Sequence, residues 1–173
     1  MSFSIRTTIR GLVAPEHHLS CSSKVWRAGL IELKRRGDGC RESGAFLLGK
    51  NYGQRREISD FAFYDDFDPH CLDTGIVVFD GAFYGLLWQR CREEGLEVVA
   101  DVHTHPGQAR QSPDDRTHPM IAKAGHIALI VPSFAQHAVR RVELGIYEYQ
   151  GEHRWQNHSG QTASVFFYIG RWG

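Results

Sequence analysis

Two stretches of the chain carry the three- and four-residue spacing of apolar side chains that is typical of amphipathic helices. The first is predicted to begin at a capping residue within Ser20–Ser23 and to end at Gly37. The second is predicted to start near Asp80 and to stop at Gly95. Their apolar faces consist of Val25, Leu30, Ile31 and Leu33 in the first, and of Phe83, Leu86, Leu87 and Cys91 in the second. A third, short helix is predicted over Arg116–Ala124.

Short apolar or alternating runs, bounded by Gly, Pro or Asn, predict strands between these helices. The predicted strands and extended segments are Phe3–Val13, Ser43–Lys50, Arg55–Tyr64, Ile76–Phe79, Leu96–Thr104, His126–Val131, Arg140–Tyr149 (paired with residues near Trp155) and Ser164–Gly170. Strands outnumber helices, but the two types are intermixed along the chain. This order predicts an α/β fold with a mixed sheet flanked by helices. A length of 173 residues with 42% hydrophobic residues fits one domain, residues 1–173.

The charge balance narrows the range of partners. Twenty Lys and Arg residues cancel twenty Asp and Glu residues, which argues against nucleic acid or an anionic membrane as the partner. No apolar run approaches the roughly 18 residues that span a bilayer, and the start of the sequence lacks the apolar core of a secretory signal. The four cysteines form no C-x-x-C pair, so we expect free thiols and a cytoplasmic location.

The most informative segment lies where the predicted strand Leu96–Thr104 ends. His103 and His105 are two residues apart, and positions i and i+2 of a strand point to the same face. Pro106 then stops the strand, and Asp115 lies at the far end of the loop that follows. Two imidazoles and a carboxylate with an open fourth position are typical of catalytic zinc. The open position would hold a water molecule whose pKa the zinc lowers toward neutrality.

Two other interpretations of this segment remain open. The chain has ten histidines, so an H-x-H pair can arise by coincidence, and His118 is a spare candidate ligand. The remaining histidines are interpreted as surface, capping or packing residues. The same two imidazoles and one carboxylate could also bind iron for oxygen chemistry.

A hydrolase also needs a base and a donor for the developing oxyanion. Glu42 directly precedes a buried run, which is an unusual place for a carboxylate, and it is the candidate base. Ser112 lies three residues before Asp115 and could supply the hydroxyl, although a turn or helix-cap role suits it as well. Asp101 shares a strand face with His103 and could orient a ligand, or it could be a polar residue at the strand end.

The run Glu42-Ser-Gly-Ala-Phe-Leu-Leu-Gly49, the motif His103-Thr-His105-Pro106 and the motif Ser112-Pro-Asp-Asp115 together resemble the JAMM (JAB/MPN) metalloprotease family, in its bacterial JAB-domain form. The resemblance covers roughly residues 41–131. It implies an MPN-like (cytidine-deaminase-like) fold, and it implies that His103, His105 and Asp115 bind one zinc ion. Glu42 then acts as the general acid and base, and Ser112 stabilises the oxyanion. The spacing from the second His to the Asp is one residue shorter than usual, so Asp114 is the alternative ligand.

The resemblance also implies a substrate class. Such enzymes cleave after the C-terminal glycine of a ubiquitin-like protein, and we expect deconjugation or precursor processing in a bacterial conjugation or antiphage system. Activating- or conjugating-enzyme-like proteins from the same operon are the expected further partners. The segments expected to grip the substrate are Tyr64–Asp73 and Pro106–Gln111. The alternatives are a non-catalytic module that binds ubiquitin-like proteins or acts as a scaffold, and a JAB peptidase of a sulfur-carrier or phage-tail system.

Overall fold

The computed structural model describes residues 17–171, which build one eight-stranded sheet with helices packed on it. The strands are Leu19–Ser22 (β1), Gly44–Asn51 (β2), Arg56–Phe63 (β3), Glu97–Thr104 (β4), Ile127–Val131 (β5), Gly145–Gly151 (β6), Arg154–Asn157 (β7) and Phe167–Gly170 (β8). The α-helices are Ser23–Gly37 (α1), Tyr84–Glu94 (α2), Pro113–Thr117 (α3) and Ala163–Phe166 (α4). Single 3-10 turns cover Tyr64–Asp66, Gly81–Phe83, Ser133–Ala135, Arg141–Glu143 and Gly160–Thr162. The predicted α/β fold class with a mixed sheet is confirmed.

The strand order is β7-β6-β5-β4-β2-β3-β1-β8. In the middle of the sheet, β4 runs parallel to β5 and antiparallel to β2. The start of β2 therefore lies beside the end of β4, and Gly44 is paired with His103. This register brings the residues that precede β2 to the point where the H-x-H motif leaves the sheet.

The core lies on both faces of the sheet, and β2 shows why. Ala45 and Leu47 are buried in one apolar cluster together with residues of α1 and α4. Their neighbours Phe46 and Leu48 are buried in a second cluster, on the face covered by α2. A strand that is buried on both faces is a continuous apolar run rather than an alternating one, as the sequence of β2 is.

Helix α1 forms where its spacing predicts. Ser22 is its N-cap, and the hydroxyl accepts a hydrogen bond from the Val25 amide at 3.2 Å. The helix ends at Gly37, followed by Asp38 in the left-handed conformation. Gly29 faces the sheet, where an added Cβ would lie 2.3 Å from the Phe61 ring, so glycine allows the close approach. Ile31 is 62% exposed and lies outside the apolar face to which its spacing assigned it.

Some element boundaries were predicted wrongly. The predicted helix Arg116–Ala124 is wrong, because the helix occupies Pro113–Thr117 and the chain after it is irregular. Proline at the first helical position favours the earlier start. The first half of the predicted strand Ser164–Gly170 belongs to α4. Ile76–Phe79 has no strand assignment.

Strand β1 was not predicted, because its four residues carry no periodic signal of their own. It is held between β3 and β8, to both of which it runs parallel. The predicted strand Phe3–Val13 lies outside the described residues. The prediction that residues 1–173 form one domain stays a prediction. No helix within residues 17–171 is both long and apolar enough to cross a membrane.

Candidate metal centre

The two histidines of the H-x-H motif meet at the carboxyl end of β4. His103 and His105 are 6% and 8% exposed, and their Nε2 atoms lie 3.0 Å apart. The His105 amide donates to the Val131 carbonyl at 2.9 Å, which continues the pairing of β4 with β5 beyond the end of the strand. Both rings are therefore held by the sheet itself and face one point.

Asp115 completes the group. Its Oδ1 lies 3.3 Å from His103 Nε2, and its Oδ2 lies 3.3 Å from His105 Nε2. Asp114, the alternative ligand, is exposed. Of the described residues, His103, His105 and Asp115 are the one set of three His, Cys, Asp or Glu side chains whose ligand atoms all lie within 4.8 Å of one another.

The S-x-x-D spacing has a structural reason, because Ser112 and Asp115 form the capping box of helix α3. The Ser112 hydroxyl accepts a hydrogen bond from the Asp115 amide at 3.1 Å, and the Ser112 amide donates to Asp115 Oδ2 at 2.6 Å. Pro113 takes the first helical position between them. The box turns the Asp115 carboxylate back toward the Ser112 amide, and the same carboxylate faces the two histidines at the end of β4.

Glu42 lies beside this group and not within it. The antiparallel register that pairs Gly44 with His103 places Glu42 opposite His105. Its Oε1 is 3.7 Å from His105 Nε2, and its Oε2 accepts a hydrogen bond from the Val77 amide at 3.3 Å. The side chain is only 13% exposed. The structure thus brings together all five residues of the predicted site, while their chemical roles stay predictions.

The distances fit a bound metal ion. A tetrahedral zinc ion with bonds of roughly 2.0–2.1 Å holds neighbouring ligand atoms about 3.3 Å apart. The two Nε2 atoms lie 3.0 Å apart, and each lies 3.3 Å from a different oxygen of the Asp115 carboxylate, so the three side chains are close to this spacing. Nitrogen from imidazole and oxygen from carboxylate are also ligands that zinc accepts. These residues therefore fit a single divalent ion.

The electrostatics of these side chains agree with a cation-binding role. Burial alone would raise the pKa of Asp115, but hydrogen bonds to His103 and His105 lower it well below its usual range. Burial opposes the charged form of His103, yet the neighbouring Asp115 carboxylate raises the pKa of its imidazole. A metal ligand must be a neutral imidazole, so a proton and a metal ion compete for this position.

A small cavity of ≈ 30 Å³ adjoins the ligand group. Glu42, His103, Asp115, Met120 and Trp155 are among the residues that line it. A space of this size holds a water molecule. Glu42 and two members of the ligand group therefore border one space that is large enough for a water molecule.

One buried polar cluster beneath the site was not predicted. Asp101, 2% exposed, accepts hydrogen bonds from His126 Nε2 at 2.5 Å and from the Tyr64 hydroxyl at 3.4 Å. From the sequence, His126 is interpreted as a surface, capping or packing residue. The position of Asp101 on an inner strand is the one feature of the sequence that indicates such a cluster, because a buried carboxylate needs a hydrogen-bonding or charged partner.

Comparison with known proteins finds similarity to a protein that is named as a metalloprotease. No family model matches the sequence. The chain is 29% identical over 63 residues to a protein of Sinorhizobium fredii (strain NBRC 101917 / NGR234) named "Probable metalloprotease y4jG". The chain resembles the JAMM (JAB/MPN) metalloproteases. The match covers 36% of this chain and 39% of that relative, so it spans less than half the length of either.

A solved structure with little sequence identity shares the overall fold. The solution structure of DSY2949 from Desulfitobacterium hafniense has a TM-score of 0.62 and 15% identity, covering 87% of this chain and 92% of that one. This likeness supports the overall fold. The crystal structure of AF2198, described as a JAB1/MPN domain protein from Archaeoglobus fulgidus, has a TM-score of 0.46 and 17% identity, covering 79% of this chain and 94% of that one.

Proposed function

We propose that the protein is a zinc-dependent peptidase that cleaves the peptide or isopeptide bond after the C-terminal glycine of a ubiquitin-like protein. The observation that carries the proposal is the position of Glu42. Its carboxylate is within 3.7 Å of one member of the three-ligand group, yet it is not one of the three. A carboxylate beside a metal set is what a metallopeptidase needs as its base, and a purely structural metal site needs no such group.

Each residue then has a defined task. His103, His105 and Asp115 would hold the ion. When bound, zinc supplies a Lewis acid that polarises the scissile carbonyl and lowers the pKa of a coordinated water. Oε2 of Glu42 is held by the Val77 amide, so Oε1, which faces His105, is the atom that would take the proton of the attacking water. The same atom would then deliver that proton to the leaving amine.

Ser112 is suited to the oxyanion role without giving up its place as a helix cap. Its hydroxyl oxygen accepts the Asp115 amide hydrogen, which leaves the hydroxyl proton available as a donor. That proton would stabilise the negative charge that develops on the carbonyl oxygen when water attacks. The capping box fixes Ser112 next to Asp115, so the donor and the metal ligand keep a constant separation.

The segment Ile76–Phe79 is the candidate binding surface for an extended substrate tail. It runs directly beside Glu42, whose amide donates to the Gly75 carbonyl at 2.9 Å. Ile76 and Val78 are 47% and 55% exposed, and no strand of the described sheet pairs with this segment. The Val77 and Val78 amides already donate to Glu42 and to the Cys71 carbonyl, so a glycine-ended tail would pair with the remaining backbone groups of this apolar segment. Glycine would suit the close approach of the tail to this segment and to Glu42, because it has no side chain that could clash with them.

The acidic loop that was expected to grip the substrate is partly engaged within the chain. Arg36 Nη1 forms ion pairs with Asp65 and Asp66, each at 2.6 Å. A role for Tyr64–Asp73 or Pro106–Gln111 in substrate binding stays a prediction. We further propose that the ubiquitin-like substrate belongs to a bacterial conjugation or antiphage system in the cytoplasm, with activating- or conjugating-enzyme-like partners.

The proposed function is tested with a ubiquitin-like protein ending in Gly-Gly and fused to a reporter. We expect zinc-dependent release of the reporter after the last glycine, loss of cleavage with a chelator, and recovery when zinc is returned. A second fusion, in which the last glycine is replaced by valine, serves as the control and should be cleaved far more slowly. Cleavage that persists after the metal has been removed would contradict the proposal, and so would cleavage at unrelated sites.

Ser112→Ala is expected to slow turnover by about 10²-fold, because an oxyanion donor is lost. The substitution also removes a helix cap, which costs on the order of 1 kcal/mol of stability. Ser22→Ala is the matched control, since Ser22 caps α1 in the same way but lies outside the site. We expect both variants to lose similar thermal stability and Ser112→Ala alone to lose kcat. Equal kcat values in the two variants would show that Ser112 caps the helix and does not stabilise the oxyanion.

A further inference from the structure

The loop that carries Ser112 and Asp115 is shaped mainly by its own hydrogen bonds. We call residues 106–117 the metal loop. Besides the capping box, the Arg110 amide donates to the Gln108 carbonyl and the Arg116 amide to the Ser112 carbonyl. Helix α3, at the end of the loop, has no buried residue. These local bonds fix the shape of the loop, but they do not fix its distance from the two histidines on β4.

Two side chains of the β6–β7 hairpin reach the metal loop from outside. The Tyr147 hydroxyl donates to the Ala109 carbonyl at 3.2 Å. On the other side of Asp115, Trp155 Nε1 donates to the Arg116 carbonyl at 3.1 Å. The metal loop has one further backbone anchor, because the Ser133 amide donates to the Gly107 carbonyl at 3.0 Å, near the start of the loop. Within residues 17–171, the two hairpin contacts are the hydrogen bonds that join residues 108–117 to segments outside residues 106–118, apart from the contacts of the Asp115 carboxylate itself.

Packing reinforces both contacts. Gly145 lies against the loop so closely that an added Cβ would be 2.2 Å from the Ala109 carbonyl oxygen. Tyr147 is 8% exposed, so its hydroxyl is held in place. The Trp155 ring packs on Tyr149 with centroids 4.9 Å apart, and it also lines the cavity beside the metal ligands.

We propose that Tyr147 and Trp155 are positioning residues for the metal site, which together hold Asp115 at ligand distance from the two histidines. His103 and His105 are placed by β4 and need no such support. Asp115 lies on a short helix six residues beyond Ala109 and one before Arg116, so one contact lies on each side of it. The hairpin therefore sets the geometry of the third ligand. This inference rests on the metal site of the proposed function.

The test measures zinc affinity of the metal-free full chain by competition with a chromophoric chelator. Tyr147→Phe and Trp155→Phe each remove one donor and keep an aromatic ring. We expect the double variant to bind zinc about 10- to 100-fold more weakly, as is typical when a group that orients a ligand is lost. Tyr149→Phe is the matched control, because its hydroxyl contacts His153 within the same hairpin and not the metal loop. It should keep wild-type affinity.

A second measurement separates positioning from general destabilisation. If the two residues act through Asp115, the double substitution should cause no further loss of zinc affinity in an Asp115→Ala chain. The same fold-loss in that background, or unchanged affinity in the otherwise wild-type chain, would overturn the inference while leaving the proposed function intact. A wild-type chain that binds no zinc would overturn both. Thermal unfolding of each metal-free variant shows that the fold is retained.

Discussion

Glu42→Gln is expected to lower the cleavage rate by about 10²- to 10⁴-fold while the chain still binds one zinc ion. The amide has the shape of the carboxylate and can still accept the Val77 amide hydrogen that now goes to Oε2. It cannot take a proton from water at neutral pH. Because Glu42 is not among the three converging ligands, the metal should remain.

Zinc content and kcat are measured together on the purified Glu42→Gln chain. Glu93→Gln is the control, since Glu93 is an exposed residue of α2 that accepts a hydrogen bond from Gln89 and lies away from the site. The control should keep both zinc and full activity. Loss of zinc from Glu42→Gln would show that Glu42 is a ligand, and near-normal kcat would show that it is not the base.

His103→Ala should abolish both metal binding and cleavage. The substitution removes one of three ligands, and the carboxylate of Asp115 loses a partner at 3.3 Å. The remaining imidazole and carboxylate do not form the three-ligand set that catalytic zinc requires. Since the ion supplies the Lewis acid, activity should fall below detection rather than by a modest factor.

The matched control for this variant is His118→Ala. His118 lines the same cavity, but it is exposed, and its Nδ1 lies 3.0 Å from the Thr117 hydroxyl. We expect His118→Ala to retain stoichiometric zinc and at least half of the wild-type rate. Retained zinc in His103→Ala, or lost zinc in His118→Ala, would mean that the spare histidine and not the strand pair binds the ion.

The residues of the site could be predicted from the sequence because most of them belong to short local patterns. The two histidines share a face because strand side chains alternate, and S-x-x-D is also the spacing of a capping box. Glu42 stands out as a carboxylate only two residues before the buried strand β2. Each of these features depends on residues that are close together in the sequence, so it can be recognised without knowledge of the fold. That Glu42 lies opposite His105 follows from the pairing of β2 with β4, which the sequence did not predict.

The parts that could not be predicted depend on contacts between distant segments. Asp101 lies in β4 and His126 directly precedes β5, and the two meet because β4 and β5 pair in a particular register. Trp155 reaches the Arg116 carbonyl across 39 positions of sequence. Strand β1 exists because β3 and β8 flank it. In each case the partner, and not the residue's own surroundings in sequence, decides the structure.

The proposed function depends on a single zinc site that His103, His105 and Asp115 would form beside Glu42. Titration of the metal-free wild-type chain with zinc in a calorimeter measures whether this site exists. We expect one tight site per chain and the release of protons on binding, because the ligands must give up protons to the solvent. No binding, or weak binding at several sites per chain, would contradict it.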